Sequence, residues 1–319
     1  MKAQNNILEK DLLLNIVKVT QQAAIEAAKL RGHGDEKLAD KAAVDAMRSA
    51  LNKLDINGTI VIGEGERDEA PMLYIGEKVG TGQGVEIDIA LDPLEGTTLC
   101  AKNQANSLAV IAVANKNCLL YAPDIYMQKL AIGPGYSKDL VNIDASASEN
   151  IIKLAQAKNV HPSQIKVCIM DRPRHKELIE EVRETGASVS LISDGDVGAI
   201  IEVAQGDMDI YMGTGGAPEG VLAAAALRCL GGVIYGRLIF DSDEKIKRAA
   251  KMGISNINKI YTAQDMAAGE VIFVATGVTN GSMLKGVCFG TKSISTETLA
   301  LHSSSKTINF IKSSSLILT

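Results

Sequence analysis

The sequence predicts an α/β protein whose N-terminal part is α+β and whose C-terminal part alternates strands with helices. Two amphipathic helical segments come first, strands with alternating apolar residues follow, and strands then alternate with helices. A chain of 319 residues is long enough for two domains. We therefore predict an N-terminal α+β domain over 1–145 and a C-terminal α/β domain over 146–319. Whether the final strands return to the first sheet stays open.

Helical periodicity marks the beginning of the chain. Apolar residues spaced three or four apart lie on one face of a helix. In the first segment these residues are Leu12, Ile16, Val19, Ala23, Ala27 and Leu30. In the second segment they are Val44, Met47, Leu51 and Leu54. Gly32 ends the first helix, and Asn57–Gly58 is a turn signal after the second.

Strand patterns complete the N-terminal part. The predicted strands are Thr59–Ile62, Glu86–Asp92, Ser107–Ala114 and Met127–Ile132. In the second of these, Ile87, Ile89 and Leu91 alternate with polar or small residues, as in a strand with two different faces. We expect these four strands to form one mainly antiparallel sheet that is covered by the two helices.

After about residue 141, the predicted strands begin to alternate with helices. Helices are predicted over 148–158, 174–185, 196–204 and 218–230, and strands over 166–170, 188–192, 208–212 and 232–240. Such alternation implies parallel strands joined by helical crossovers. The short polar segment 142–148 marks the domain boundary. Strand-like segments return at 271–275 and 286–291, and the Ser-rich tail over 303–319 either closes a sheet edge or frays.

Composition excludes several classes of protein. The net charge of −5 and the absence of a basic tract predict no nucleic-acid partner. No apolar run approaches the roughly 20 residues of a membrane helix, and Met1–Lys10 lacks the apolar core of a secretion signal. Five scattered cysteines without C-x-x-C spacing predict reduced thiols in a cytoplasmic protein. The four histidines are scattered as well, so any bound metal should have oxygen ligands.

Carboxylates cluster in five segments where the chain is expected to turn. These segments are Gly34–Asp40, Gly63–Glu69, Asp92–Thr97, Asp194–Asp196 and Gly215–Gly220. Mg²⁺ and Mn²⁺ prefer oxygen ligands, so Asp and Glu on loops suit them. Two such ions about 3.5–4 Å apart can polarise a phosphoryl oxygen and stabilise a leaving alkoxide.

Four of the five segments have a simpler interpretation. Asp40 near a helix start is favourable against the helix dipole, and Pro218–Glu219 is an ordinary helix start. Asp194–Asp196 fits a turn followed by a cap. Glu66, Asp68 and Glu69 fit a solvated loop.

The segment Asp92–Thr97 is the hardest to explain as a simple turn. An alternating strand places Asp92 at its end, and Pro93 then fixes the bend. The carbonyl of Leu94 becomes available as a ligand, and Glu95 and Thr97 lie on the same loop. A simple turn does not need two carboxylates and a hydroxyl around one glycine.

The segment DPLEGT at 92–97 resembles the signature of the lithium-sensitive, Mg²⁺-dependent sugar and inositol phosphatases. A more specific stretch, GEGERDEAPMLYIGE at 63–77, is similar to the class II fructose-1,6-bisphosphatases of bacteria. Further matching stretches are APDIYM at 122–127, DRPRH at 171–175, SDGDV at 193–197 and GAPEGV at 216–221. One departure is Lys37, which lies one position away from the family's lysine and leaves any role of that residue open.

The resemblance implies a fold, a function and a set of site residues. The fold is the five-layer αβαβα sandwich of the superfamily, and the partners are a sugar bisphosphate and further copies of the chain in a dimer or tetramer. Mn²⁺ or Mg²⁺ would be bound by Asp40, Glu64, Asp92, Glu95 and Glu219. The candidate catalytic residue is Thr97, which would orient the attacking water. Substrate would be bound by Glu95, Gly96, Thr97, Tyr126, Arg172, Pro173, Arg174, Asp194, Gly195, Asp196 and Gly216.

Three hypotheses about function follow. The first is hydrolysis of the 1-phosphate of fructose 1,6-bisphosphate in gluconeogenesis. The second keeps the mechanism but changes the substrate to sedoheptulose 1,7-bisphosphate or an inositol phosphate. The third is a non-catalytic sugar-phosphate sensor, which loss of a metal ligand would favour, and all five carboxylates are present. Arg172 and Arg174 suit phosphate, although surface charge is the alternative. We expect His175 to be a structural partner rather than an acid.

Overall fold

The computed structural model of the chain describes residues 10–65 and 72–317. The solvated-loop interpretation of Glu66, Asp68 and Glu69 lies outside these residues, as does the interpretation of positions 1–9. The described part of the chain contains nine α-helices and fourteen β-strands. None of these helices combines the length and hydropathy that a membrane span requires.

The elements are numbered in chain order. The helices are α1 Lys10–Ala28, α2 Glu36–Leu51, α3 Thr97–Ala101, α4 Ala147–Lys158, α5 Lys176–Glu184, α6 Asp196–Gln205, α7 Ala217–Leu230, α8 Asp243–Lys251 and α9 Ala263–Met266. The strands are β1 Ile56–Ile62, β2 Lys78–Val79, β3 Val85–Glu95, β4 Leu108–Asn115, β5 Tyr126–Ile132, β6 Lys166–Met170, β7 Ser188–Ile192, β8 Ile210–Gly216, β9 Val233–Leu238, β10 Ile260–Thr262, β11 Val271–Gly277, β12 Cys288–Phe289, β13 Ser293–His302 and β14 Thr307–Leu316.

The chain divides into two compact units. Unit 1 comprises Met1–Leu120 and Ala267–Thr319, and unit 2 comprises Tyr121–Met266. Each unit contains one mixed sheet with its own helices, which confirms the predicted α/β class.

Unit 1 contains an eight-stranded sheet in the order β12-β13-β11-β4-β3-β1-β2, with β14 beside β13. β1 and β3 are parallel, and the other neighbours are antiparallel. The late strand β11 pairs with β4 along its whole length, so the end of the chain enters the first sheet. The Ser-rich tail forms β14, the edge strand that pairs with all of β13.

Helices α1 and α2 pack on this sheet through small and aliphatic side chains. In α2 the buried residues Ala39, Ala43, Met47 and Leu51 recur at helical spacing. They join one apolar cluster with residues of α1 and of the strands. Alanine at several of these positions permits a close approach of helix and sheet, which suits a chain without tryptophan.

Unit 2 contains a six-stranded sheet in the order β10-β9-β5-β8-β6-β7. β6 is parallel to β7 and to β8, as the alternating pattern predicts. The prediction that Met127–Ile132 continues the first sheet is wrong, because β5 lies between β8 and β9 and is antiparallel to both. Alternation of apolar residues identifies a strand but not its partner, since that choice depends on contacts between distant parts of the chain.

The limits of the units therefore differ from a division at residue 145. β5 precedes that residue, yet all of its pairing is within the second sheet. The polar segment 142–148 is a connection inside unit 2 and leads to α4, whose N-cap is Ser146. The core of unit 2 includes Ile132, Ile151, Leu154, Val167 and Ile210, on the face of the sheet that α4 and α5 cover.

Candidate active site

The first candidate metal ligand, Asp40, lies in the second turn of α2. The Asp35 side chain caps this helix by accepting a hydrogen bond of 3.0 Å from the Leu38 N–H. Ala39 and Ala43 are buried beside Asp40, which places its carboxylate at the half-buried margin of the packed face. Lys37, the displaced lysine, is exposed on the same helix.

Glu64 follows β1 in a loop whose beginning is hydrogen-bonded to Leu73. The Glu64 N–H donates to the Leu73 carbonyl at 3.0 Å, and Leu73 is buried with a φ of 54°. Farther along the loop, Glu77 is buried and its Oε1 accepts from Arg48 Nε of α2 at 2.6 Å. This ion pair connects the loop of Glu64 to the helix of Asp40.

A β-bulge brings Asp92 and Glu95 to the same side of β3. Asp92 pairs with Val110 and Glu95 with Leu108, so three steps along β3 match two steps along β4. Residues three apart in a regular strand point to opposite faces, and one extra residue cancels that difference. A carboxylate oxygen of Asp92 and one of Glu95 consequently lie within 4.8 Å of each other.

The bulge and the start of α3 are held by local hydrogen bonds. Asp92 Oδ1 accepts from the Leu94 N–H at 3.0 Å. Gly96 has a φ of 74°, a left-handed conformation that favours glycine, and it occupies the N-cap position of α3. Thr97 Oγ1 donates to the Leu94 carbonyl at 3.2 Å instead of accepting from a helix N–H. The hydroxyl of Thr97 therefore does not cap α3.

Three carboxylates of unit 1 repel one another. Burial, with the charges of Asp92 and Asp40 acting in the same direction, raises the pKa of Glu64 to about 9. Burial and the charge of Asp92 raise the pKa of Asp40 to about 6. Every influence given for Asp40 and Glu64 raises the pKa, so no cation among the described residues compensates the charge of these two groups. A divalent cation would supply the missing charge, and a set of carboxylate oxygens is the donor set that Mg²⁺ and Mn²⁺ prefer.

In unit 2, Arg174 lies against the aromatic ring of Tyr126. Its Cζ is 4.7 Å from the ring centroid, within the range of a cation–π contact. Arg174 Nε and Nη2 both donate to the Thr214 carbonyl, at 3.0 and 2.7 Å. A guanidinium has five N–H donors, so three stay available for a ligand. Tyr126 and Arg174 are both exposed, as a binding surface requires.

His175 supports this surface from the interior of unit 2. The side chain is 3% exposed, and its Nδ1–H donates to the Met170 carbonyl at 2.7 Å. Nε2 accepts from the Thr214 N–H at 2.8 Å. Burial lowers the pKa of His175, and the charges of Arg174 and Arg172 act in the same direction. The ring is thus neutral and links the end of β6 to Thr214, the residue whose carbonyl holds Arg174.

The segment Asp194–Asp196 connects β7 to α6. Gly195, with a φ of 84°, is at the N-cap position, and Asp194 Oδ1 accepts from its N–H at 3.1 Å. Asp194 is half-buried, whereas Asp196 is only 4% exposed. The Asp196 carboxylate forms an ion pair with Lys129, with 2.6 Å between Lys129 Nζ and Asp196 Oδ2.

The remaining unit 2 candidates lie at the ends of other strands. Gly216 ends β8 and is the N-cap residue of α7, and Glu219 lies in the first turn of that helix. A Cβ on Gly216 would overlap the carboxylate of Glu219, so the glycine leaves room for that side chain. Arg172 and Pro173 follow β6 directly, and Arg172 Nη1 donates to the Asp171 carbonyl at 3.1 Å.

The predicted residues therefore form two groups. Unit 1 brings together Asp40, Glu64, Asp92, Glu95, Gly96 and Thr97. Unit 2 places Tyr126, Arg172, Pro173, Arg174, Asp194, Gly195, Asp196, Gly216 and Glu219 at the ends of neighbouring strands or the starts of helices. Sequence reasoning did not single out Thr214, Lys129 or Tyr211. A charged residue inside the apolar strand Met127–Ile132 was the available signal for Lys129.

Comparisons with known proteins identify relatives over almost the whole chain. The family model "Bacterial fructose-1,6-bisphosphatase, glpX-encoded" matches residues 10–315. The D-fructose 1,6-bisphosphatase class 2/sedoheptulose 1,7-bisphosphatase of Synechocystis sp. is 46% identical over 331 residues, covering 95% of this chain and 96% of that protein. The protein of the same description from Trichodesmium erythraeum is 46% identical, covering 93% and 94%. Among solved structures, the extragenic suppressor protein SuhB from Bartonella henselae is 12% identical, with a TM-score of 0.37 and coverage of 64% and 76%.

The crowding of carboxylates predicts how the metal-free protein responds to pH. A raised pKa means that the folded state holds a proton which the unfolded state has released. Stability therefore decreases as pH rises from about 4.5, the ordinary value, to about 9. Glu64→Gln removes this effect. In excess chelator, the difference in melting temperature between the variant and the native protein should increase from pH 5 to pH 9. The increase should be about 2 °C for each kcal/mol of unfavourable Glu64 charge energy that the substitution removes.

The matched control is Glu86→Gln, an exposed glutamate on β3 that pairs with Lys116 and whose pKa is lowered by that contact. Its melting temperature relative to the native protein should not increase over the same pH range. Circular dichroism melts at pH 5, 6, 7, 8 and 9 measure both differences. If the melting-temperature difference between Glu64→Gln and the native protein is the same at every pH, the charge crowding is contradicted.

Proposed function

Because the chain belongs to the family of bacterial, glpX-encoded fructose-1,6-bisphosphatases, we propose that it hydrolyses the 1-phosphate of fructose 1,6-bisphosphate. The products are fructose 6-phosphate and inorganic phosphate, and the reaction belongs to gluconeogenesis. The observation that carries the proposal is the crowded carboxylate group of Asp40, Glu64 and Asp92, which lies in segments that match the family. Loss of one of the carboxylates would favour a sensor without catalytic function, and all of them are present.

Sedoheptulose 1,7-bisphosphate is the second substrate. The relatives from Synechocystis sp. and Trichodesmium erythraeum carry both bisphosphates in their names and are 46% identical to this chain. Both sugars present a furanose ring with a phosphate at each end, so one arrangement of polar groups can bind either of them. No observation favours an inositol phosphate over these two.

Divalent cations complete the proposed site. Asp40, Glu64, Asp92 and Glu95 of unit 1 would bind them, together with Glu219 from the first turn of α7. The chemistry that bound cations supply is polarisation of the phosphoryl group and stabilisation of the departing alkoxide. Neutralisation of the crowded carboxylates also favours binding, because the energy spent on their repulsion is recovered when a cation is present. The proposed ions are Mn²⁺ or Mg²⁺.

Thr97 is the proposed catalytic residue. It follows Gly96 at the start of α3, and its hydroxyl is within 3.2 Å of the Leu94 carbonyl, next to Glu95 at the end of β3. A β-branched side chain has few rotamers, so the hydroxyl keeps a defined direction. From this position the oxygen would accept a hydrogen bond from the attacking water. The backbone of Glu95, Gly96 and Thr97 would contact the phosphate that is removed.

Unit 2 supplies the proposed sugar-binding surface. Arg172, Pro173 and Arg174 would bind the phosphate that is retained, and the Arg174 guanidinium lies 4.7 Å from the centroid of the Tyr126 ring. Gly216, Asp194, Gly195 and Asp196 would contact the sugar. The Asp196 carboxylate is buried in its ion pair with Lys129, so backbone groups are the available means of contact for this residue. The cytoplasmic location and assembly as a dimer or tetramer stay predictions of the sequence.

Phosphate release from a panel of sugar phosphates tests the proposed function. The purified chain should release phosphate from fructose 1,6-bisphosphate and from sedoheptulose 1,7-bisphosphate, with far less from fructose 6-phosphate and inositol 1-phosphate. Equal activity on all four compounds would contradict the proposed substrate class. Absence of release from any of them would contradict phosphatase function.

Metal dependence is measured in the same assay. Activity should disappear in excess EDTA and return with Mn²⁺ or Mg²⁺, because the site has only oxygen ligands. Glu219→Gln keeps the shape of the side chain and removes its charge. It should raise the cation concentration needed for half-maximal activity by about tenfold, equivalent to roughly 1.4 kcal/mol. An unchanged titration curve removes Glu219 from the ligand set.

Arg174→Ala tests recognition of the retained phosphate. A charge-assisted hydrogen bond contributes about 1.5–3 kcal/mol, so kcat/KM for fructose 1,6-bisphosphate should decrease roughly 10- to 100-fold. Fructose 1-phosphate lacks the retained phosphate, so its hydrolysis should decrease much less. Lys176→Ala is the matched control, because this exposed cation is two residues away at the start of α5. An equal loss on both substrates would contradict the assignment of Arg174.

Thr97→Ala and Thr97→Val test the hydroxyl of the proposed catalytic residue. If Thr97 orients water, both variants should reduce kcat by roughly 10²–10⁴ and leave KM almost unchanged. Valine retains the branched shape, so its loss of activity would come from the missing oxygen alone. Thr97→Ser should restore much of the rate. A fully active Thr97→Val enzyme would exclude the catalytic role.

A further inference from the structure

Lys129 is a buried cation in the middle of β5. Its neighbours in the strand include the buried residues Met127, Leu130, Ala131 and Ile132, and its own exposure is 1%. An ammonium group loses its hydration when it is buried, so such a lysine persists only with a compensating partner. Lys129 is neither a proposed metal ligand nor a proposed substrate contact.

The partner is Asp196, at the start of α6. Lys129 Nζ lies 2.6 Å from Asp196 Oδ2, and the Tyr211 hydroxyl donates to the same oxygen at 3.2 Å. Tyr211 is fully buried on β8. The three side chains therefore join β5, β8 and α6 through one carboxylate oxygen.

Two glycines provide the room for this contact. A Cβ on Gly215 would overlap Asp196 Oδ2 and stand 3.1 Å from Lys129 Nζ. A Cβ on Gly220 would approach the Lys129 side chain to 3.4 Å at Cε. Gly215–Gly220 is one of the five acidic segments, and its glycines accommodate a buried ion pair as well as the carboxylate of Glu219.

The ion pair lies next to the proposed sugar-binding residues of unit 2. Lys129 is three residues from Tyr126 along β5, and it faces Gly213 of β8, three residues before Gly216. Asp196 directly follows Asp194 and Gly195, the turn that would contact the sugar. The N-terminal end of α6 cannot shift without breaking the contact between Asp196 and Lys129.

We propose that Lys129 is a positioning residue for substrate binding. Through Asp196 it fixes the Asp194–Gly195 turn relative to β5 and β8, and this role rests on the proposed function. Without the ammonium group, the Asp196 carboxylate is buried without its cation. Without the ion pair, the start of α6 also loses its link to β5, and the Asp194–Gly195 turn shifts. Misplacement of binding groups by about 1 Å weakens an enzyme by about 100-fold.

Lys129→Met tests the proposal, because methionine retains most of the side-chain volume and lacks the charge. KM for fructose 1,6-bisphosphate should increase about 10- to 100-fold, and kcat at saturating substrate should change less than about threefold. A merely structural residue would lower the melting temperature without this separation of KM from kcat. The double variant Lys129→Met/Asp196→Asn removes the unpaired charge, so it should recover the melting temperature while KM stays high.

Lys158→Met is the matched control. Lys158 pairs with Asp209 in the same unit, just before β8 begins and thus at the opposite end of that strand from Gly216. It should lower the melting temperature and leave KM unchanged. A normal KM in Lys129→Met overturns the positioning role. The role is also overturned if KM and the melting temperature both return to normal in the double variant. A native protein that releases no phosphate from either bisphosphate overturns the proposed function and this role together.

Discussion

Mutual repulsion among three carboxylates is the energetic cost that the packing of unit 1 must overcome. Asp40, Glu64 and Asp92 come from a helix, a loop and a strand that are separated in sequence. The charge of Asp92 raises the pKa of Asp40 and of Glu64, and the charge of Asp40 raises the pKa of Glu64. Chains do not bring such charges together through local preference, because every step towards contact is opposed by repulsion and desolvation. The surrounding packing must provide the energy. The apolar cluster that joins α1, α2 and the strands of unit 1 contributes to it.

A β-bulge and an ion pair hold the carboxylate oxygens of unit 1 in a defined arrangement. The bulge between Asp92 and Glu95 directs two carboxylates to one side of β3, where a regular strand would separate them. The ion pair of Arg48 with the buried Glu77 connects the loop of Glu64 to the helix of Asp40. Groups held in this way need little reorganisation when charge develops, and that is the condition for strong electrostatic catalysis.

Sequence reasoning found the elements of the fold more readily than their partners. Periodicity located α1, α2 and β3, because the spacing of apolar residues follows directly from helix and strand geometry. The sheet of β5 could not be predicted, since any strand edge with matching hydrophobicity is a possible neighbour. In the site, DPLEGT indicated Asp92 and Glu95, but the bulge that aligns them is a matter of pairing register. Thr214 contacts Arg174 and His175 through backbone atoms, and a backbone contact leaves no signal in the choice of side chain.

The two units treat buried charge in opposite ways, and the difference fits the ligands proposed for each. In unit 2 the carboxylate of Asp196 is satisfied inside the protein by Lys129 and Tyr211, so it adds rigidity without attracting cations. In unit 1 the charges of Asp40 and Glu64 have no such compensation among the described residues, and they attract a cation in proportion to that deficit. A lysine beside Glu64 would stabilise the metal-free fold by the same interaction that a cation would otherwise supply. In the proposed metal site, the repulsion within the carboxylate group would therefore be the source of its affinity for a cation, and a compensating residue would remove both.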